Sequence, residues 1–249
     1  MRLDRLLCEM NIGSRSRVKE LLKKGLVTVN GVVVTKADTK VNEHSDRIVC
    51  QGKEYCYRPF FYYMMNKPAG FITAVKDARE KTVWDLFCDR IREGNSGELT
   101  GIPVKDIFPA GRLDKDTSGL LLFTNDGETA HRLLAPGSHV PKTYLVKTDL
   151  SLDPPAIAQL LEGVDIGEKS PVKPVKLEYG GKELKEAEYY LTITEGKFHQ
   201  VKRMFQAVGR EVTYLKRVSM GSLTLDETLP EGQIRELTQE EVRKLCSKK

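Results

Sequence analysis

The stretch Pro109 to Gly127, PAGRLDKDTSGLLLFTNDG, places Arg112, Leu113 and two acids, Asp114 and Asp116, directly ahead of the apolar run Leu120 to Phe123. Acids two residues apart share one side of an extended segment, and paired carboxylates are the equipment of glycoside-bond chemistry. Asp116-Thr117-Ser118-Gly119 also reads as a type I turn, with the acid first and glycine last. That turn accounts for Asp116. It leaves Asp114 either as a reactive carboxylate or as a bland Asx-turn or N-cap residue.

Two further stretches could take part. In KTYLV, Tyr144 shares a strand side with Lys142 and Val146. An aromatic at such a place is either core or a surface on which an unpaired base stacks. In EGKFHQVKRMFQAVGR, Val201, Met204, Phe205 and Val208 repeat at helical spacing as a buried stripe. This leaves His199, Lys202, Arg203 and Gln206 on the flanks and far side. Residues 195–217 carry six cations (Lys197, Lys202, Arg203, Arg210, Lys216, Arg217) against Glu195 and Glu211. Such a segment is either a solvated helix face or a phosphate-facing wall with one cation turned inward to an acid.

The elements that must position these residues follow from the local pattern. Leu3, Leu6, Leu7 and Met10 fall at i, i+3, i+4 and i+7, a short amphipathic helix. Ser14 or Ser16 can cap a second helix that carries Val18, Leu21 and Leu22, with Gly25 as its stop. LVTVNGVVV is a hairpin turned at Asn30-Gly31, and Arg47 to Cys50 is a further strand. Residues 1–53 form one unit, 54–59 a linker and 60–249 a second unit. Within the latter, FFYYMMNKPAGFITAV reads as strand, turn, strand, and Glu93 to Gly101 as a long exposed connection. Asn125-Asp126 caps a helix, Pro154-Pro155 open another and Thr238 caps the last. Strands and helices mix without strict alternation, so the fold class is α+β, with a mixed, largely antiparallel central sheet flanked by helices.

Charge separates the two units. Residues 1–53 hold 11 Lys+Arg against 6 Asp+Glu, which leaves 29 against 29 in the rest of this +5 chain. A basic module on a neutral body fits docking on a polyanion; the other reading is a solvated helix face. The candidate docking cations are Arg2, Arg5, Arg15, Arg17, Lys19, Lys23 and Lys24. The five cysteines and four histidines are scattered, so neither a disulfide framework nor a metal site is expected. No Gly-rich nucleotide loop or nucleophile elbow occurs, and no cofactor is expected. No apolar run approaches the ~18 residues of a membrane span, and the first residues do not read as a signal peptide, so a cytoplasmic protein is expected.

Taken together these motifs resemble known families. The two small helices, the second strongly basic, followed by the Val-Asn-Gly hairpin are similar to the alpha-L RNA-binding module of the ribosomal-protein-S-four type. GRLDKDTSGLLLFTNDG, KTYLV and EGKFHQVKRMFQAVG, in this order, resemble the motifs of bacterial rRNA pseudouridine synthases, the third being closest to the RsuA type that acts on small-subunit (16S) rRNA. The resemblance implies that Asp114 is the essential aspartate at the uridine glycosidic bond and that Tyr144 stacks on the target base. It implies further that Lys202 pairs with Asp114 and keeps it charged, with Arg203 as competitor for that place. Arg112 would hold the flipped nucleotide or fill the gap it leaves. Leu113, His199, Gln200 and Arg203 complete the expected substrate-binding set. The expected partner is 16S rRNA, naked or in a small-subunit assembly intermediate, and the expected state is a monomer. A large-subunit rRNA synthase and a non-catalytic ribosome-assembly factor are the competing readings.

Overall fold

The computed structural model describes residues 1–93, 106–180 and 187–247. The chain divides into two compact units, Met1–Phe61 with Ile91–Ile107 and Tyr62–Arg90 with Phe108–Lys249. Most of the long connection expected over Glu93 to Gly101 therefore lies outside the described residues. No helix among those described is long and apolar enough to cross a membrane.

In the first unit, α1 (Leu3–Glu9) and α2 (Arg15–Lys23) precede β1 (Val27–Val29), β2 (Val32–Val33), β3 (Ile48–Cys50) and β4 (Lys53–Tyr55), in sheet order β2-β1-β3-β4. The apolar stripe of α1 is fully buried at Leu3, Leu6 and Leu7 and packs with Val18, Leu21, Leu22, Val27 and Ile48. Ser14 caps α2 through its side-chain oxygen, which accepts from the Arg17 amide. Asn30 (φ 53°) and Gly31 (φ 82°) make the two-residue turn, with Val29 opposite Val32. One expectation is displaced. Tyr55 pairs with Ile48 in β4, and the Tyr57 hydroxyl donates to Glu9, so the expected 54–59 linker belongs to this unit, which runs to Phe61.

The second unit is built on a nine-stranded mixed sheet. Its elements are β5 (Tyr62–Lys67), α3 (Val83–Glu93, of which residues up to Arg90 fall in this unit), β6 (Phe108–Ala110), β7 (Ser118–Thr124), α4 (Gly127–Leu134), β8 (Lys142–Thr148), α5 (Pro154–Glu162), β9 (Lys176–Tyr179), β10 (Glu188–Ile193), α6 (Gln200–Ala207), β11 (Val212–Met220), β12 (Leu223–Thr224), β13 (Ile234–Glu236) and α7 (Gln239–Cys246). The order is β13-β5-β7-β11-β8-β10-β9, with β6 beside β7 and β12 beside β11. Among the described residues of this sheet, β7 and β11 alone pair in parallel; the other ladders are antiparallel. The run SGLLLFT is buried on both faces, as a central strand must be. Leu120 and Leu122 pack with Met64, Leu133 and Leu245 on one side, and Phe123 stacks on Phe87 at 4.5 Å on the other. Asp126 caps α4, and Thr238 with Glu241 forms a full capping box on α7.

Two sequence readings change here. The expected strand after the Pro68-Ala69-Gly70 turn is irregular, with only an isolated bridge between Ile72 and Thr82. Thr73 instead serves the loop before β7: its hydroxyl donates to the Leu113 carbonyl at 2.7 Å and accepts from the Leu113 amide at 3.0 Å. The expected turn at Asp116–Gly119 sits two residues earlier. Thr117 N–H bonds the Asp114 carbonyl at 3.1 Å, because Ser118 and Gly119 are already committed to β7.

That turn is held from inside by Lys67. Its side chain is wholly buried, and its ammonium donates to the carbonyls of Asp114 (3.0 Å), Thr117 (2.7 Å) and Pro68 (3.1 Å), with Lys115 at 3.4 Å. Burial pushes its pKa down to about 8, against the pull of Asp116 and Asp114. Lys67 is protonated in both folded and unfolded chains below pH 8, where the desolvated charge counts fully against folding. Between 8 and the ordinary 10.5 the unfolded chain binds more protons, so this group's contribution to stability rises with pH. The urea-unfolding free energy of wild type should therefore gain on that of Lys67→Met across this window, by about 3 kcal/mol at most. A flat difference would mean that Lys67 is solvated.

Gly119 fixes the parallel contact. Its φ is 103°, and an added Cβ would lie 2.2 Å from the Arg217 carbonyl oxygen and 2.7 Å from its amide nitrogen. Strain and backbone displacement then act together, and Gly119→Ala should lose about 3 kcal/mol or more. Gly31→Ala has positive φ but open space around it. It should lose only about 1 kcal/mol, and equal losses in thermal unfolding would refute the close-contact account.

Candidate active site

The loop between β6 and β7, the middle of β8, the segment before α6 and the start of β11 converge on one cleft of about 260 Å³. This is slightly below the ~300–1,000 Å³ of ordinary small-molecule pockets and holds a group of roughly nucleoside size. Arg112, Leu113, Asp114 and Thr117 line one wall. Tyr144, Ile193 and Leu215 come from the sheet, and Gly196 to Val201 complete the lining. Arg112, Leu113, Asp114, Tyr144, His199 and Gln200, which lie far apart in sequence, are thus brought together.

Each is placed by a simple device. Asp114 opens the turn gripped by Lys67, and its side chain is about one-third exposed. Tyr144 sits in β8 between Leu191 of β10 and Arg217 of β11, so both neighbouring strands hold its backbone. Its hydroxyl has no hydrogen-bond partner among the described residues. Arg112 is exposed and makes no ion pair among them. Leu113 is buried, held by Thr73 through its main chain.

The charge pairing differs from the expectation. Lys202 on α6 forms its ion pair with Asp116, not Asp114. Asp114 instead faces His199, whose Nε2 is 3.6 Å from its Oδ1. The shifted turn explains this, since it points Asp116 outward toward α6. Partial burial opposes the Asp116 charge, yet the hydrogen bond from Lys202 and its positive charge hold the carboxyl below its usual range. Arg203 is turned away as well: its Nη1 donates to Glu168 at 3.1 Å and to the Phe198 carbonyl at 3.0 Å. The lysine that lines the cleft with Asp114 is Lys197. Its spacing did not distinguish it from its basic neighbours.

Gln200 has a structural duty. It is buried, and its Oε1 accepts from the Lys197 amide at 3.0 Å, which ties the loop back on itself. Arg217, counted with the surface cations from sequence, is only 2% exposed and donates through Nε to the Leu120 carbonyl. Lys142 is also buried, and burial, then Arg217, pushes its pKa down. Sequence reasoning missed Lys67, although a lysine closing an apolar strand run was a visible signal. Among the described residues no cluster of His, Cys, Asp or Glu could hold a metal ion.

In the first unit the docking candidates divide. Arg2, Arg5, Arg17 and Lys24 pair with Asp4, Glu9, Glu20 and Glu20. Arg15, Lys19 and Lys23 make no ion pair among the described residues, and at i, i+4 and i+8 they form one exposed stripe on α2.

Comparison with known proteins places the chain in a family. The RNA pseudouridylate synthase family pattern matches residues 61–207, and the S4 domain matches residues 1–48. The uncharacterized RNA pseudouridine synthase YtzG of Bacillus subtilis is 45% identical, over 98% of both chains. The ribosomal small subunit pseudouridine synthase A of Vibrio cholerae is 39% identical, over 97% of this chain and 98% of its own. A crystal structure described as pseudouridylate synthase superposes with a TM-score of 0.64 at 35% identity, covering 98% of this chain and 99% of that one. A chain whose acid-bearing turn, tyrosine strand and basic helix meet at one cleft, and which matches these relatives from end to end, belongs to the RNA pseudouridine synthase family and carries an S4 domain at its N-terminus.

Proposed function

We propose that this chain isomerises a uridine of small-subunit rRNA to pseudouridine, acting as a cytoplasmic monomer with Asp114 as the reacting carboxylate. The observation that carries the site assignment is the meeting of Asp114, Tyr144, Arg112 and Lys197 on one nucleoside-sized cleft. The small-subunit assignment rests on similarity to proteins named for that substrate.

In this reading the target nucleotide leaves its stack and enters the cleft, at a cost of a few kcal/mol. Arg112 and Lys197 meet its phosphates or replace the lost stacking, and Tyr144 lies against the base. A carboxylate is itself a nucleophile, so Asp114 can act on the sugar without a base to activate it. The bond from N1 to C1′ breaks, uracil turns, and C5 bonds to C1′. The C5 proton leaves and N1 gains one, so no redox change occurs. Lys202 keeps Asp116 occupied outside the cleft, which leaves Asp114 as the carboxylate available to the sugar. The Arg15, Lys19 and Lys23 stripe supplies docking charge through phosphate contacts that carry little sequence information.

Release of the C5 proton from labelled small-subunit rRNA should fall at least about 10²-fold in Asp114→Asn and under about 10-fold in Asp116→Asn; the reverse order would transfer the role to Asp116. Mapping of pseudouridines in a deletion strain should show a site lost from 16S rRNA, and a loss confined to the large subunit would reject the target. Replacing Arg15, Lys19 and Lys23 together by Ala should weaken rRNA binding and lower the slope of log K against log salt by about 2. An unchanged slope would remove this stripe from the interface.

A further inference from the structure

The rim of the cleft contains a side chain that the uridine chemistry does not use. Phe198 is 72% exposed, more than any other large hydrophobic residue described. Scattered exposed apolar residues are ordinary, but this one lines the mouth of the cleft that holds Asp114. Its ring lies on the His199 imidazole, with centroids 3.8 Å apart and planes 17° from parallel. One face is therefore covered and the other is open.

The backbone beneath this pair is held firmly. Arg203, anchored by Glu168, donates to the Phe198 carbonyl at 3.0 Å. Gln200 ties down Lys197 on the preceding side. His199 occupies the left-handed region at φ 48°, at the start of α6, without a side-chain cap bond. Such a conformation persists only where neighbouring contacts enforce it. The result is a flat aromatic surface on a tethered backbone, with Arg112 and Lys197 available for phosphates in the same cleft. Core packing does not explain it, since most of Phe198 is exposed and its stacking partner is the neighbouring His199.

We propose that the open face of Phe198, backed by His199, is a stacking platform for the nucleobase next to the target uridine in the RNA strand. The target base itself meets Tyr144, which is 9% exposed and lies deeper, so the rim is left for its neighbour. Arg203 and Gln200 are positioning residues in this scheme, acting through the backbone of residues 197–199. The proposal rests on the RNA reading of the site. It adds a second base subsite to it.

The test uses the full chain and a five-nucleotide RNA with a central uridine and 2-aminopurine on its 5′ or 3′ side. Wild type should quench 2-aminopurine on one flank, and an abasic nucleotide at that flank should weaken binding about 5- to 100-fold. In Phe198→Leu the quenching should vanish and the abasic penalty shrink below about twofold, whereas Phe198→Trp should keep both. Because Phe198 is exposed, the Leu variant should unfold at the wild-type temperature. Absence of quenching on both flanks in wild type, or quenching and abasic penalties in Phe198→Leu equal to those of wild type, would overturn the platform. C5-proton release by wild type on small-subunit rRNA is measured in parallel. Quenching without release would reject the isomerase reading alone, and release without quenching would reject the platform alone.

Discussion

The site depends on one buried ammonium. Lys67 ends a strand whose other residues are apolar or uncharged, and it binds main-chain oxygens that belong to residues 47 to 50 positions further on. A turn of four residues has little means of holding itself in one conformation, since most of its backbone groups face outward. A central cation that collects its carbonyls replaces the water those groups would otherwise need. The charge is tolerated because the oxygens are partial negative charges and two carboxylates lie close by. Thr73 adds a two-way hydrogen bond one residue before Asp114. The acid is therefore aimed by its backbone from both sides.

The sheet supplies the second constraint. Tyr144 and Leu215 reach the cleft because β11 lies beside β7 and β8 beside β11, and β11 can pair in parallel with β7 only where Gly119 lets the two backbones touch. Arg217, at that contact, bonds the Leu120 carbonyl and closes the joint from the other side. The chemistry-bearing residues lie on the turn, a strand and a loop at a helix start, and each is attached to an element that is buried on at least one face. This gives a rigid frame around an open cleft, the arrangement that positioned reactive groups require.

Much of this was readable from local pattern. The caps at Asp126 and Thr238, the Asn30-Gly31 hairpin and the buried run of β7 each rest on interactions among a few neighbouring residues, and the structure contains them. The grouping of the Asp114, Tyr144 and His199 stretches was legible as well, through the resemblance of their order and content to a family. What escaped were contacts without a side-chain signature. A lysine bonded to distant carbonyls leaves no spacing pattern, and a two-residue shift of a turn is invisible while Ser118 and Gly119 suit either place. The partner of Lys202 followed from that shift. The strand expected after Gly70 had good composition but is paired only through one isolated bridge.

The hold on the acid-bearing turn acts through peptide oxygens, which every residue type possesses. Exposed Lys115 takes part in it through its carbonyl. The identity of that side chain can thus drift during divergence, or be replaced by a labelled or cross-linkable residue, while the frame around it keeps its shape. In the acid-bearing loop the backbone that is held and the exposed side chain that can be replaced belong to one residue, seen from opposite sides of the main chain.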